Sequence, residues 1–530
     1  MKLEKKSLRD VEEWKKAGYE LPEYDLEIIQ ANTKKKPIWI HFGAGNIFRA
    51  FMAVAQQKLL NEKIADTGII VCEGYDSEII EKVYRNYENL TIAVSMKQNG
   101  SMDKMVVGSV AESLLLKPET SDWLRLKEIF ENPALQMATF TITEKGYQIK
   151  NASGYLPQIK EDMQVGPEQA KSYMGCLTAL CYLRYLAGKL PLALVSMDNF
   201  SHNGDRLKMA VLTIAEVWEK NNLVEEGFSG YLQDETKISF PWSMIDKITP
   251  RPDSKIKEML ERTALEGMDI FTTSANTYIA PFVNAEETEY LVIEDNFPNG
   301  RPKLEHAGIL FADRQTVECV EQMKVCTCLN PLHTGLAIFG CLLSYTSISK
   351  EMEDPLLREL AVQIGQEGMP VVVHPGILEP KQFLHEVLCV RLPNPYIPDT
   401  PQRIATDTSQ KLSIRYGETI KAYQKTGKSL KQLRAIPLVI AGWIRYLTGV
   451  DDFGNAMELS PDPRMTELRE KISDIAEKPE MVAGSILADA SVFGQDLSKT
   501  ELAEPVIGFL KEMLTGPHAV RKTLEKYLGQ

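Results

Sequence analysis

Residues 37–48 read Pro-Ile-Trp-Ile-His-Phe-Gly-Ala-Gly-Asn-Ile-Phe, a short apolar run entering a glycine turn, after which Arg49–Leu60 carries apolar residues at helical spacing. A strand, a bare-backbone turn and a helix in that order suit a pyrophosphate. The helix start offers unpaired N–H groups and the positive end of its dipole to an anion. Gly43, Gly45, Asn46, Ile47, Phe48 and Arg49 are therefore the candidate dinucleotide contacts of this turn. The third glycine of the usual GxGxxG pattern is absent, and Phe48 stands in its place. Taken alone, a GxG is also compatible with a purely structural turn, so its weight comes from the setting.

That setting extends outward in both directions. Thr67–Glu73 reads as a second buried strand, Ser77–Tyr87 as a helix, and Asn99-Gly100 as the turn of a hairpin between Ile92–Met96 and Met105–Val110. Ala138–Thr143 is another strand, followed by a helix over 167–188, a strand at Leu192–Met197 and a helix over 204–220. Strands alternating with helices predict a mostly parallel sheet covered on both faces. Beyond Asp313 the pattern is helical almost to the end. The expected architecture is α/β: a Rossmann-like, doubly wound sheet domain with an N-terminal extension over residues 1–300, then a mostly α-helical domain over 301–530 that supplies substrate-binding and catalytic groups.

Composition narrows the partners. At 530 residues the chain is long enough for two large domains with a cleft between them, and 44% hydrophobic with 25% charged residues is the make-up of an ordinary globule. A formal charge of −13 argues against a nucleic-acid partner, which would need a basic face. The N-terminus is charged and lacks a signal-type apolar region, and no uninterrupted apolar stretch approaches the ~18 residues of a membrane span. The eight cysteines form no CxxC pair. A cytoplasmic protein without a membrane partner is expected.

A site for NAD wants a carboxylate at the end of the second strand to accept the adenosine ribose hydroxyls. Glu73 ends that strand 28 residues after Gly45, with Asp76 as its close competitor. Either acid would repel a ribose 2′-phosphate, so NAD is the expected cofactor in preference to NADP. In the second half, Lys381–Arg434 carries ten Lys/Arg against four Asp/Glu, including an irregular Pro- and Asn-rich insert over Arg391–Thr408. This is either a solvated helix face or a wall that attracts a small anion.

Seven segments, in order, resemble the polyol-specific long-chain dehydrogenases, the family of mannitol dehydrogenase and the hexuronate reductases. They are Gly43-Ala-Gly45-Asn-Ile-Phe-Arg49, Thr143-Glu-Lys-Gly-Tyr147, Ser196-Met-Asp-Asn199 with Asn203-Gly204, Phe240-Pro241 through Asp246-Lys-Ile-Thr-Pro250, Ile293-Glu-Asp-Asn-Phe-Pro298 through Gly300-Arg-Pro302, Lys324 through Leu329-Asn-Pro-Leu-His333, and Asn394-Pro395 through Gln410-Lys411. The resemblance implies metal-independent hydride transfer between a sugar carbon and the nicotinamide ring of NAD. It makes Lys324 the general acid/base and lets Asn199, Asn330 and His333 hold the reacting oxygen. The chemistry agrees with those residue types: amide donors stabilise the negative charge that grows on a ketone oxygen, and an ammonium can then deliver the proton. The lysine suits the task if burial beside the cationic nicotinamide lowers its pKa.

Further positions carry weaker expectations. Thr143, Glu144 and Lys145 either face the nicotinamide or only form a turn; Asp198 and Asp246 either contact the lysine or a substrate hydroxyl, or cap helices. The Cys-Leu-Asn-Pro-Leu-His form of the motif looks closest to the hexuronate-reducing branch of the family, whose keto-hexuronate and aldonate carry a carboxylate. Arg391, Arg403, Lys411 and Arg415 are the cations available to it, and a neutral polyol would need none of them. Tagaturonate reduction, polyol 2-dehydrogenation and a non-catalytic NAD-binding sensor are the competing readings. Cys326, Cys328 and His333 suggest zinc only superficially, since no fourth ligand stands nearby, and no metal is expected.

One feature departs from the family. Its spacing is lysine, four residues, asparagine, two residues, histidine, whereas five residues, Val325–Leu329, separate Lys324 from Asn330 here. At 100° per residue the extra position turns Lys324 off the helix face of Asn330. Either a π-bulge absorbs it or Pro331 starts a new helical turn.

Overall fold

The computed structural model describes residues 1–529, and six of its strands form one parallel sheet. They are β1 (Trp39–Phe42), β2 (Ile69–Glu73), β3 (Val110–Leu115), β4 (Met137–Phe140), β5 (Leu192–Ser196) and β6 (Ile238–Ser239). Their order is β6-β5-β4-β1-β2-β3. The chain thus winds outward in one direction from β1 and then in the other from β4. Such a reversal opens a crevice above the carboxyl ends of β1 and β4, where ligands bind in this class of sheet.

The sheet is buried on both faces, which explains why its strands read as continuous apolar runs. Ile40 and Phe42 belong to a core with Phe140, Leu177 and Trp218, whereas Trp39, which precedes Ile40 and alternates with it, joins Phe48, Leu59 and Val71 on the other face. Helices α1 (Ala53–Asn61), α2 (Tyr173–Leu186) and α3 (Asn203–Lys220) cover these faces. A second, four-stranded sheet contains the expected hairpin, Thr91–Met96 against Met102–Val107, with Tyr19–Glu20 of the N-terminal extension on one edge and Phe282–Glu286 on the other.

Three boundaries differ from the sequence reading. The strand expected over Met105–Val110 stops at Val107, and the chain crosses at Gly108-Ser109 to begin β3 in the other sheet. A Cβ at Gly108 would lie 2.6 Å from a Leu26 methyl, so a larger residue at the crossing would have to push that side chain aside. The helix expected over 167–188 is delayed to Tyr173, where the Ser172 hydroxyl caps the Gly175 N–H. The strand expected over Ala138–Thr143 ends at Phe140, because the Asp198 carboxylate takes the Ile142 and Thr143 N–H groups and starts a helical turn there.

The first compact unit is Met1–Val317, and the second begins at Glu318, inside helix α4 (Arg314–Met323). In the second unit, α5 (Asn330–Leu342) is buried nearly all round and is the central helix, packed against α6 (Ala435–Tyr446). The stretch Arg314–Leu342, two helices joined through a π turn, is long and apolar enough to cross a membrane, but 78% of its most apolar window is buried within the protein, so it belongs to the core. Helix α7 (Ala503–Met513) closes over α6.

π-helical turns recur along the chain, at Phe48–Met52, Ile80–Tyr84, Lys324–Cys328, Val387–Arg391 and Ser413–Gly417. Such turns are rare and gather at functional sites. The last three each hold one of the basic residues singled out above: Lys324, Arg391 and Arg415.

Candidate active site

In the first unit the glycine turn leaves β1 at the crevice. Gly43 has φ +107°, and a Cβ there would fall 2.2 Å from the Thr141 carbonyl, so both conformation and space demand glycine. Gly45 differs, since a Cβ there would meet nothing within 4 Å. Its missing side chain leaves open space beside the backbone, which is what an approaching phosphate requires. The residues of this turn therefore fit a dinucleotide.

His41, which the sequence reading did not single out, supports the turn from beneath. Its Nδ1 lies 2.6 Å from the Thr139 hydroxyl and its Nε2 2.8 Å from that of Thr141, and its ring stacks on Phe48 at 4.3 Å. Burial pulls its pKa down to about 3, so the imidazole is neutral. Phe48 thus occupies the missing third glycine's position by packing on a histidine, and the π turn Phe48–Met52 carries the wider ring. Ile47 is half-buried against the same core. Arg49 is wholly buried and donates to the Ala280 carbonyl, to the Thr91 hydroxyl and to Asn46 Oδ1, while Asn46 in turn donates to the Pro250 carbonyl. These two residues tie the turn to the neighbouring sheet.

The two acids have separate tasks. Glu73 Oε2 accepts the Ala44 N–H at 2.8 Å, while Oε1 accepts those of Gly74 and Tyr75 at 2.9 and 2.7 Å. A carboxylate offers about four lone-pair sites, so Oε2 retains room for one further donor at the turn. Asp76 caps the following helix through Glu78 N–H and binds the Thr273 and Thr277 hydroxyls. Its oxygens hold the Phe271–Thr272/Tyr278–Ile279 hairpin in place.

Near the carboxyl ends of β4 and β5, Asp198 accepts N–H bonds from Ile142 and Thr143 and the hydroxyl of Tyr147. Burial raises its pKa against the pull of those bonds. Thr143 has φ +64°, an uncommon conformation for a β-branched residue, and this carboxylate holds it there. Glu144 is exposed and pairs with Arg206 at 3.2 Å, and Lys145 is exposed. Asn199 stands exposed after the turn, which Asn203 locks by donating to the Asp198 and Ser243 carbonyls. Asp246 is buried at the end of the strand Ser243–Asp246.

In the second unit Lys324 is buried at 3% exposure and opens a π turn. The Leu329 N–H reaches back to the Lys324 carbonyl at 3.1 Å, Leu329 leaves the helical region at φ −128°, and Asn330-Pro331 start α5. Both expected repairs are used: the π turn absorbs the additional residue, and Pro331 occupies the first turn of a new helix. The turn is braced by the Thr419 hydroxyl on the Cys326 carbonyl and the Tyr416 hydroxyl on the Pro331 carbonyl. Burial pushes the Cys326 and Cys328 thiols up to about 12.

His333, one turn into α5, lies with Nε2 3.3 Å from Asp399 Oδ2. Its pKa is lowered chiefly by burial, with Arg391 and Arg415 acting in the same direction and Asp399 opposing them. Arg415 donates to the Thr334 hydroxyl beside it, and Thr334 donates to the Asn330 carbonyl at 3.0 Å. Arg391 is 5% exposed. Lys411 donates to the Ile404 and Thr406 carbonyls, and burial together with neighbouring Arg415 lowers its pKa to about 8. The fold thus gathers His333, Arg391, Lys411 and Arg415 around the start of α5. Arg403 is different: its side chain is 60% exposed and pairs with Asp399.

Comparison with known proteins identifies the family. Residues 37–306 match the mannitol dehydrogenase Rossmann domain and residues 316–514 the mannitol dehydrogenase C-terminal domain. The chain belongs to the mannitol dehydrogenase family and is an oxidoreductase of that family, with a parallel-sheet Rossmann domain followed by a helical C-terminal domain. Among its relatives is a D-mannonate oxidoreductase of Thermotoga maritima, 53% identical over 538 residues that cover 100% of this chain and 99% of the relative. A D-mannonate oxidoreductase of Escherichia coli strain K12 is 30% identical, covering 86% of this chain and 89% of its own. The structure of Pseudomonas fluorescens mannitol 2-dehydrogenase in ternary complex with NAD and D-mannitol aligns over 100% of both chains, with a TM-score of 0.70 and 25% identity.

Proposed function

We propose that the chain interconverts D-fructuronate and D-mannonate, using NADH and NAD, in the cytoplasm. The observation that carries this reading is the 53% identity, across the full length, to the Thermotoga maritima D-mannonate oxidoreductase. The cations near His333 support it: Arg391 and Arg415 both act on the His333 ring and Arg415 neighbours Lys411, and of the candidate substrates only a hexuronate brings a carboxylate to such groups.

NADH, when held at the glycine turn, would supply the hydride that the ketone carbon takes. There Gly45 would leave room for the pyrophosphate, and Glu73 would accept a ribose hydroxyl and repel a 2′-phosphate. As charge grows on the ketone oxygen, the amides of Asn199 and Asn330 donate to it, and the Lys324 ammonium gives it the proton that completes the alcohol. The reaction is balanced by one hydride, one proton and no metal ion. In the reverse direction Lys324 takes the proton back.

Absorbance at 340 nm, followed with NADH and a panel of D-fructuronate, D-tagaturonate and D-fructose, tests the assignment. D-Fructuronate is expected to give the highest kcat/KM. A higher value for tagaturonate or fructose would reassign the substrate, and no turnover with any ketose would favour a nucleotide-binding protein without catalysis.

A further inference from the structure

Asp399 lies in the irregular Pro- and Asn-rich insert that follows Arg391. It is nonetheless 5% exposed, and its backbone is fixed at both ends: its N–H donates to the Ile397 carbonyl at 2.8 Å and its carbonyl accepts the Ile348 N–H at 2.9 Å. Its two carboxylate oxygens are divided. Oδ1 accepts from Arg403, and Oδ2 faces His333 Nε2 at 3.3 Å. Nε2 is buried and has no well-aligned partner among the described residues, so Asp399 is the acceptor within its reach.

We propose that Asp399 is a positioning residue that holds the His333 proton on Nε2, leaving Nδ1 as a hydrogen-bond acceptor for a substrate hydroxyl. The reason is the chemistry of a neutral imidazole, which has one donor nitrogen and one acceptor nitrogen. A carboxylate can only accept, so the nitrogen that faces it must carry the proton. Protonation of the whole ring is opposed by its burial and by Arg391 and Arg415, the other charged groups acting on it, and Asp399 itself is already engaged by Arg403. His333 then reads a hydroxyl of the sugar and does not deliver a proton to the ketone oxygen, a task left to Lys324. The inference rests on the proposed binding of a hexuronate beside His333, but the tautomer itself is independent of which sugar is reduced.

Long-range 1H–15N correlation NMR on protein labelled with 15N-histidine reads the tautomer directly, with the His333 signals identified by their loss in His333→Asn. The wild-type protein is expected to show His333 protonated on Nε2. Asp399→Asn should reverse this, because Arg403 will hold the amide oxygen and turn the NH2 group toward Nε2. That variant should lose at least tenfold in kcat with D-fructuronate while the NADH KM stays within twofold, and Asp399→Glu should recover part of the loss. A wild-type His333 protonated on Nδ1 overturns the proposal, whatever the variants do. So does an Asp399→Asn protein with kcat within twofold of wild type and its tautomer unchanged. If the wild-type protein reduces none of the ketoses, the assignment of function fails and the NMR result still decides the tautomer.

Discussion

The Leu329 N–H donates to the Lys324 carbonyl at 3.1 Å, five residues back, and this one bond defines the turn on which the proposed acid/base sits. An α-helical bond would have come from Cys328. The wider turn takes in one more residue than the family's spacing provides, and Thr419 and Tyr416 satisfy the carbonyls around the break.

Lys324→Ala should lower kcat by about 10²–10⁴-fold, the range for removal of a general acid/base, while NADH binds with near-native affinity. Steady-state kinetics and calorimetric titration with NADH check this, and small primary amines should restore part of the rate. Deleting one residue from Val325–Leu329 should not improve the enzyme. Its surroundings are built for the π turn, so the deletion is expected to displace Lys324 and cost at least tenfold in kcat. Near-normal kcat in Lys324→Ala would make Lys324 the wrong residue.

The two glycines of the turn should separate in their effects. Gly43→Ala meets the Thr141 carbonyl at 2.2 Å at a positive φ, and its Tm should fall by several degrees. Gly45→Ala has free space, so its Tm should stay close to wild type while NADH affinity falls at least tenfold. Differential scanning calorimetry and NADH fluorescence titration distinguish the two. Tight NADH binding by Gly45→Ala would make the open face irrelevant to the nucleotide.

NADH should be preferred to NADPH by well over tenfold in kcat/KM, because the Glu73 carboxylate would oppose a 2′-phosphate. Glu73→Gln is expected to narrow that preference. It should also lower Tm, since its amide cannot accept from Ala44 and Gly74 together as the carboxylate does. Equal use of both cofactors by the wild-type enzyme would remove the acid from this role.

His41 ties stability to pH. Its folded pKa, about 3, lies below the ~6.5 of an unfolded histidine, so the unfolded chain binds the extra proton first as pH falls. The contribution is fully present above pH ~6.5 and is lost as pH drops toward 3, at up to about 1.4 kcal/mol per pH unit. Urea unfolding at pH 7, 5.5 and 4.5 should show this slope, and His41→Gln should flatten that part of it. A variant with the full wild-type slope would place the titrating group elsewhere.

Arg415→Ala and Lys411→Ala should raise KM for D-fructuronate about tenfold or more and leave kcat/KM for uncharged D-fructose nearly unchanged, because only the uronate brings a carboxylate. Equal losses on both substrates would show that these cations support the fold around α5, not the substrate's charge.

Much of the nucleotide half was legible along the chain. A strand buried on both faces must be apolar throughout, so β1 and β2 declared themselves, and a helix that starts immediately after Gly45 needs no long-range information. Glu73 was legible because it ends a strand, yet its bonds to Ala44 and Tyr75 belong to residues that only the sheet brings beside it. His41 escaped notice for the same reason: in sequence it is one polar residue in an apolar strand, and Thr139 and Thr141, its partners, lie about a hundred residues away. Asp198 and Asp76 read as possible ligand contacts, but the tertiary structure engages them with backbone N–H and hydroxyl groups.

The sequence by itself determined the class of sheet, the glycine turn, the family and the odd count between Lys324 and Asn330. Local patterning and spacing are properties of neighbours in the chain, and all four are of that kind. Only the tertiary structure decided how the extra residue is absorbed, which acid meets His333, and that Arg391, Lys411 and Arg415 collect near Asn330 while Arg403 points outward to solvent and pairs with Asp399. Those outcomes depend on burial and on distances between residues far apart in the chain. Helical periodicity shows which face a residue occupies, but it carries no information about what packs against that face.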